Sequence, residues 1–243
     1  MNRTFIFEKT CVSTNTELKE KIRRSKYPVW DVISADAQTG GRGRQGKSFY
    51  SPAGGVYFSA AFPLKGLEDH IPFLTLLAGL AAAEALEAFG IDVQIKWPND
   101  LYFRGKKLCG ILTELVSGPG GLTAVVGAGI NVHMKKTDFP PELQHLITSL
   151  AAENAPIPEK ETLIKEIVSR LDSFVYSENA LCAAAPYALR INKRAYLTDK
   201  RVKIILENGS VSGTVTGIGP DGSLLLQTEN GIKPIRSGTV EIL

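Results

Sequence analysis

The sequence predicts an α+β fold, in which a mixed β-sheet packs with helices and is followed by a small all-β unit. In the first 195 residues, β-branched and aromatic runs alternate with segments whose apolar residues recur at helical spacing. Beyond them only short β-type runs remain, separated by the turn dipeptides Asn208-Gly209, Asp221-Gly222 and Asn230-Gly231. We therefore expect two domains, residues 1–195 and residues 196–243.

Helices are predicted where this spacing is flanked by a start or stop signal, as for the Ala/Leu-rich segment that ends at Gly90. A Gly-Pro-Gly-Gly turn at 118–121 predicts a hairpin. The predicted helices are 17–24, 73–89, 159–176 and 181–191. The predicted strands are 3–7, 29–35, 56–62, 93–96, 101–103, 107–116 and 122–132, and then 202–206, 211–215, 223–227 and 232–235 in the C-terminal unit.

Composition and charge exclude several classes of protein. The 243 residues carry 28 Lys+Arg against 25 Asp+Glu, a formal net charge of +3, which is too mild to indicate nucleic-acid binding. Three scattered cysteines and three histidines form neither a disulfide framework nor a zinc motif. The N-terminus has no signal-peptide core, and no apolar run reaches the ~18–20 residues of a membrane span. We expect a cytoplasmic protein without membrane contact.

The glycine–arginine loop, residues 40–48, is the strongest local feature. Its sequence GGRGRQGKS matches both the GxxxxGK[ST] phosphate loop and the GxGxxG dinucleotide fingerprint. Both need a helix directly after the loop to hold the phosphate, and residues 49–55 contain no helix start. Three interpretations stay open: a solvated basic turn, a contact with single-stranded nucleic acid beside Phe49 and Tyr50, or a loop that orders over a phosphate-bearing ligand.

Two further clusters carry chemistry. Residues 96–100, KWPND, place a cation, a carboxamide and a carboxylate on one turn, which suits a nucleotide with Mg²⁺. An ordinary Pro-Asn-Asp turn beside a buried tryptophan is the alternative. Residues 127–132, GAGINV, put small residues inside a strand, which indicates close approach of a ligand or of backbone, or simply core packing.

Together these segments resemble the biotin protein ligase family, in its short form without an N-terminal helix-turn-helix domain. The matching pieces are Ser13-Thr14-Asn15, QTGGRGR at 38–44, Ser51-Pro52, KWPNDL at 96–101, KLCGIL at 107–112 and GAGINV at 127–132. The resemblance implies a mixed-sheet catalytic domain of the biotin/lipoate ligase type, followed by a small SH3-like β-barrel. Val12, Lys47 and Phe49 depart from the Asp, Arg and Trp common in the family, and Lys47 lacks the two-pronged guanidinium of arginine.

The resemblance also implies a reaction and a site. Biotin and ATP form biotinyl-5′-AMP and pyrophosphate, and biotin then passes to one lysine of a carrier domain. Arg44 and Lys107 are the implied catalytic residues, Arg44 by closing the loop over the adenylate and Lys107 by contacting the biotin carboxylate and the α-phosphate. The implied biotin-binding residues are Ser13, Thr14, Asn15, Gln38, Arg42, Gly43, Arg44 and Lys107, the ATP-binding residues are Lys96, Asn99 and Asn131, and Asp100 is the implied Mg²⁺ ligand.

The implied partner is a biotin carboxyl carrier protein or domain, of acetyl-CoA carboxylase or of a related biotin-dependent carboxylase. Because the partner supplies the nucleophilic lysine, Cys109 is expected to be a packing residue. Glu114 faces either the site or the strand surface. Since the Ser-Thr-Asn motif stands almost at the start, we expect no DNA-binding head and no DNA binding. A monomer and a homodimer both remain open. The alternatives are a lipoate ligase of the same fold and a nucleic-acid-binding regulator.

Overall fold

The computed structural model describes residues 2–64, 71–176 and 184–243. Its strands form two sheets, and the first three helices pack against the larger one. The elements in chain order are β1 (Phe5–Cys11), α1 (Thr14–Arg24), β2 (Val32–Gln38), β3 (Gly55–Pro63), α2 (Ile71–Ala88), β4 (Gln94–Lys96), β5 (Asp100–Phe103), β6 (Lys106–Gly118), β7 (Gly121–Asn131), α3 (Lys160–Tyr176), α4 (Ala184–Asn192), β8 (Arg201–Leu206), β9 (Gly209–Ile218), β10 (Leu224–Thr228), β11 (Gly231–Ile235) and β12 (Thr239–Ile242).

The larger sheet has seven strands in the order β1-β2-β3-β7-β6-β5-β4. Only β1 and β2 are parallel, and every other neighbouring pair is antiparallel, so the sheet is mixed as predicted. The β6–β7 hairpin closes at the Gly-Pro-Gly-Gly turn, where Gly118 pairs with Gly121.

Alternation along the strands gives this sheet two buried faces. On one face, residues such as Ala60, Phe62 and Val126 join α2 and α3 in the main hydrophobic core. On the other face, their neighbours Ala61 and Val125 pack against α1 in a smaller cluster. The helix α2 is apolar around most of its circumference because it lies between the sheet and α3.

The second sheet has five antiparallel strands in the order β11-β10-β9-β8-β12. Its edge strands β11 and β12 do not pair with each other, so the predicted SH3-like barrel is not closed. The second sheet is tied to α4 through the Asn192 side chain, which donates to Ile218 O at 2.9 Å and accepts from Ile218 N at 2.8 Å. Trp97 Nε1 also donates to Gly222 O at 3.0 Å. The two sheets therefore meet at the KWPND turn.

Element types agree with the sequence prediction, while several boundaries differ. Helix α1 begins at Thr14, three residues before the predicted start, with Ser13 as its N-cap residue. Strand β12 was not predicted. Residues 181–183 of the predicted fourth helix lie outside the described residues, and α4 covers the rest. Among the helices of the described ranges, none combines the length and apolar character required to cross a membrane.

One arginine with a largely shielded side chain joins three parts of the fold. Arg3 donates to the Asp172 carboxylate of α3 at 2.8 and 2.5 Å, and to Trp30 O and Ala61 O at 3.0 and 2.8 Å. Its guanidinium also lies 4.4 Å from the ring centre of Phe62. Because only 4% of the Arg3 side chain is exposed, the ion pair is largely shielded from solvent.

We predict that Arg3→Ala lowers the free energy of unfolding by about 3 kcal/mol, because Asp172 is left shielded and unpaired. The matched control is Arg23→Ala, which breaks an exposed i,i+3 pair with Glu20 and should cost less than about 0.5 kcal/mol. Urea unfolding measures both variants. Equal losses in the two would contradict the anchoring role of Arg3.

Candidate active site

A cleft of about 260 Å³ lies where the two sheets meet. Its walls come from the start of α1, the end of β2, the glycine–arginine loop, the KWPND turn and the strands β6 and β7, with residues 238–240 of the second sheet on the remaining side. Every predicted site residue except Asn131 lines it: Ser13, Thr14, Asn15, Gln38, Arg42, Gly43, Arg44, Lys96, Asn99, Asp100 and Lys107. Ser13 and Lys107, which are 94 positions apart in the sequence, thus line the same cleft.

One end of the cleft is a network of neutral polar groups. Gln38 Oε1 accepts from the Thr14 amide at 2.9 Å and from its hydroxyl at 3.3 Å, and Gln38 Nε2 donates to Ser51 Oγ at 3.0 Å. Ser59, which the sequence analysis did not single out, lies 2.7 Å from Thr14 Oγ1. Such buried groups are costly unless they are paired, so this network holds their orientation.

Asn15 is held from three sides at the same end. Its Oδ1 accepts from Ser59 at 2.5 Å, and its Nδ2 donates to Glu114 at 2.8 Å and to Leu112 O at 3.3 Å. A Cβ on Gly127 would lie 2.1 Å from Asn15 Oδ1, so the glycine is what allows Asn15 to approach β7. The first residue of GAGINV therefore serves close backbone approach.

Glu114 supports this end from behind the cleft. It pairs with Lys19 at 2.6 Å as well as with Asn15, and it is not a lining residue. Burial would raise the pKa of Glu114, but the hydrogen bonds from Lys19 and Asn15 and the charges of Lys19 and Arg42 outweigh it, so the pKa lies below its usual value. The sequence left open whether Glu114 faces the site or the strand surface. Glu114 does not line the cleft and contacts it only indirectly, through Asn15.

The glycine–arginine loop folds as a small hairpin. Arg42 bridges Ser48, Gly43 N donates to Lys47 O at 2.7 Å, and Phe49 N donates to Gly41 O at 2.9 Å. No helix follows it, since the chain passes through a turn into β3. The loop therefore differs in structure from the phosphate loop and from the dinucleotide-binding motif, although its sequence matches both patterns.

Phe49 lines the cleft, although the sequence pointed only to a departure from the family and to an aromatic neighbour of the basic loop. Its ring lies over Gly110 of β6 and Gly129 of β7, which pair in register. A Cβ on either glycine would come within 2.8 Å and 2.4 Å of the ring, respectively. The two glycines thus form a flat platform for an aromatic ring, and Lys107 Nζ lies 5.7 Å from the centre of that ring.

The other end of the cleft is cationic. Lys107 pairs with Asp100 at 2.7 Å, and Lys96 and Arg44 line the same region. Burial lowers the pKa values of Lys96 and Arg44, and the nearby Asp100 charge partly opposes that shift in both. Three cations around one carboxylate leave an excess of positive charge that a polyanion would neutralise.

Hydrogen bonds to neighbouring elements fix the KWPND turn. Asn99 Nδ2 donates to Ile111 O at 2.7 Å, and Ile111 N donates to Asn99 O at 2.9 Å. Asn131 is buried away from the cleft, where its Nδ2 donates to Thr148 O at 2.9 Å. Its predicted contact with ATP stays a prediction.

Cys109 was expected to be a packing residue. Cys109 is fully buried in the main core, and burial raises the pKa of its thiol to about 12. Both Cys11 and Cys109 are free thiols, and Cys182 and His70 lie outside the described residues.

From the unpredicted strand β12, Thr239 reaches the tip of the glycine–arginine loop, where its Oγ1 donates to Gln45 Oε1 at 3.4 Å.

Two protein-family models match the sequence of this chain. Residues 7–131 match the model of the Biotin/lipoate A/B protein ligase family, and residues 198–243 match that of the Biotin protein ligase C terminal domain. The chain is 34% identical to the bifunctional ligase/repressor BirA of Escherichia coli, over 95% of this chain and 71% of that protein.

Two further ligases are similar to this chain. The biotin–[acetyl-CoA-carboxylase] ligase of Mycobacterium tuberculosis is 27% identical, over 94% of this chain and 85% of that protein. The solved structure of the biotin protein ligase from Aquifex aeolicus in complex with biotin and ATP is 31% identical and superposes with a TM-score of 0.81, covering 99% of this chain and 98% of that one. The chain therefore belongs to the biotin/lipoate protein ligase family and, within it, to the biotin protein ligases.

Proposed function

We propose that this chain activates biotin with ATP to biotinyl-5′-AMP and transfers the biotin to a specific lysine of a biotin carboxyl carrier protein or domain. The observation that carries the proposal is the division of the cleft into a neutral polar end and a cationic end. A ureido ring with hydrogen-bond donors and acceptors suits the first end, and phosphates suit the second. A similar ligase was solved with biotin and ATP bound.

In the first step a biotin carboxylate oxygen attacks the α-phosphorus of ATP, and pyrophosphate leaves with the electron pair of the broken P–O bond. Two anions must meet, so the protein has to position them and neutralise their charge. Lys107 lies beside Asp100, where the cleft turns cationic, and we assign it to the carboxylate and the α-phosphate. We assign Lys96 and Asn99 to ATP.

Magnesium would enter with the nucleotide. Within the described ranges, no group of three or more His, Cys, Asp or Glu side chains is arranged to hold a metal ion. Asp100 offers one carboxylate at the cationic end, which fits an ion that keeps most of its waters and binds through one carboxylate and the nucleotide phosphates. Bound there, magnesium would neutralise charge on the phosphates. Because Asp100 already pairs with Lys107, the two cations would share this carboxylate.

In the second step the lysine amine of the partner attacks the activated carbonyl, loses a proton, and AMP leaves. Water must be excluded in the meantime, because it would hydrolyse the mixed anhydride. We assign this task to Arg42, Gly43 and Arg44 of the glycine–arginine loop. The acceptor is a carrier domain of acetyl-CoA carboxylase or of a related biotin-dependent carboxylase, in keeping with the similarity to the biotin–[acetyl-CoA-carboxylase] ligase of Mycobacterium tuberculosis.

We also propose that the chain divides into a catalytic domain, residues 1–195, and a C-terminal β domain, residues 196–243. The chain leaves the first sheet near Tyr196, whose amide donates to Ile95 O at 2.9 Å, and β8 begins at Arg201. Through Gly238, Thr239 and Val240 the second domain supplies one wall of the cleft. The second domain therefore helps to shield the adenylate.

Lipoate is the competing substrate, and the polar end argues against it. The dithiolane ring of lipoate offers no N–H donor and no carbonyl acceptor, so it would cover the polar end without forming the hydrogen bonds that a ureido ring can form there. Isothermal titration of the full chain should show binding of biotin and none of lipoate. Binding of lipoate without binding of biotin would overturn the proposed substrate.

We predict that Gly127→Ala weakens biotin binding at least tenfold, because its Cβ would lie 2.1 Å from Asn15 Oδ1 and displace that amide. Gly79→Ala on α2 is the control, since its Cβ would meet only ordinary contacts at 3.8 Å and should leave biotin affinity unchanged. Titration calorimetry measures both. Wild-type biotin affinity in Gly127→Ala would show that the Asn15 position is unimportant for binding.

We predict that Lys107→Ala reduces biotin-dependent ATP–pyrophosphate exchange at least 100-fold, because the reacting anions lose their shared cation. Lys106→Ala is the matched control. Lys106 is adjacent in sequence, lies 3.9 Å from Glu153 outside the cleft, and should exchange at close to the wild-type rate. Equal exchange by the two variants would refute the assignment of Lys107.

A further inference from the structure

Lys96 is held in the cleft by a residue that does not itself line the cleft. Its Nζ donates to the hydroxyl of Tyr102 at 3.0 Å and lies 4.7 Å from the centre of that ring. Lys96 is a lining residue of the cationic end, whereas Tyr102 stands behind it on β5. An unrestrained lysine has four rotatable bonds, so this contact selects one direction for its charge.

The strand register explains why these two side chains meet. On the β4–β5 pair, Lys96 faces Asp100, and Gln94 faces Tyr102, so Lys96 and Tyr102 are diagonal neighbours on one face. The alternate residues Ile95, Leu101 and Phe103 are buried in the core on the opposite face.

The ring of Tyr102 is itself fixed by a stack that leads to the second sheet. Tyr196 packs on it with ring centres 4.6 Å apart, and Lys200 Nζ lies 3.2 Å from the centre of the Tyr196 ring. In this stack the rings of Tyr102 and Tyr196 lie between two cations, Lys96 and Lys200. Such contacts are attractive because the ring faces are electron-rich. The stack runs from the cleft to the residue before β8.

The protonation states agree with this geometry. Burial, reinforced by the Asp100 charge, raises the pKa of Tyr102 to about 12, so its hydroxyl keeps its proton and accepts from the lysine. Burial lowers the pKa of Lys96, with Asp100 and Tyr196 opposing that shift and Lys107 adding to it. A hydrogen bond from the ammonium to a neutral oxygen stabilises its charged form.

We propose that Tyr102 is a positioning residue for the adenylation step, which holds the ammonium of Lys96 toward the phosphates of ATP. This role rests on the proposed function, because it assigns Lys96 to the nucleotide. It goes beyond that function by giving a residue outside the cleft a specific effect on ATP and none on biotin.

The test is the steady-state KM for ATP and for biotin in pyrophosphate exchange by the full chain. Tyr102→Phe keeps the ring stack and removes the hydroxyl, and should raise the KM for ATP about tenfold while the KM for biotin changes less than twofold. Tyr176→Phe is the matched control. Its hydroxyl donates to Pro63 O at 3.0 Å and neither residue lines the cleft, so both KM values should stay at their wild-type level.

A double-mutant cycle shows whether Tyr102 acts through Lys96. Lys96→Ala should raise the KM for ATP at least as much as Tyr102→Phe, and the double variant should be no worse than Lys96→Ala alone. An unchanged KM for ATP in Tyr102→Phe, an equal rise for biotin, or an additive double variant would overturn the positioning role. Absence of exchange in the unmodified chain would instead overturn the proposed function, and this role with it.

Discussion

The pairing of β6 with its neighbours β5 and β7 is the constraint on which the cleft depends. In this register Asp100 faces Gly110, and Gly110 faces Gly129, so a carboxylate and the glycine platform lie side by side. A slip by one residue would turn each of these residues to the opposite face and place core residues in the cleft. The apolar residues of β6 and β7 that pack on α1 and α2 oppose such a slip, so the hydrophobic core sets the geometry of the polar site.

Small residues at this register make room for larger functional ones. Gly127 admits Asn15 from α1, and Gly110 and Gly129 admit Phe49 from the glycine–arginine loop. These contacts bring a helix start and a loop against the middle of the sheet. The polar and cationic ends of the cleft are consequently adjacent, as a reaction that joins a carboxylate to a phosphate requires.

Local pattern was sufficient to predict the element types, because helical spacing and turn dipeptides are both short-range signals. The resemblance of six segments to one family was sufficient for most of the cleft, since these segments contain most of its lining residues. What it missed depends on distant contacts. Strand β12 is only four residues long, and Phe49 gains its place from two glycines on different strands. The contact of Lys96 with Tyr102 needs the strand register, which no single motif contains.

The central claim is that one cleft, polar at one end and cationic at the other, joins biotin to AMP. Exchange of labelled pyrophosphate into ATP by the full chain tests it most directly, because this exchange reports reversible formation of the adenylate. The account predicts exchange in the presence of biotin and none in its absence or with lipoate. Failure of biotin to support exchange, or exchange driven by lipoate alone, would contradict it.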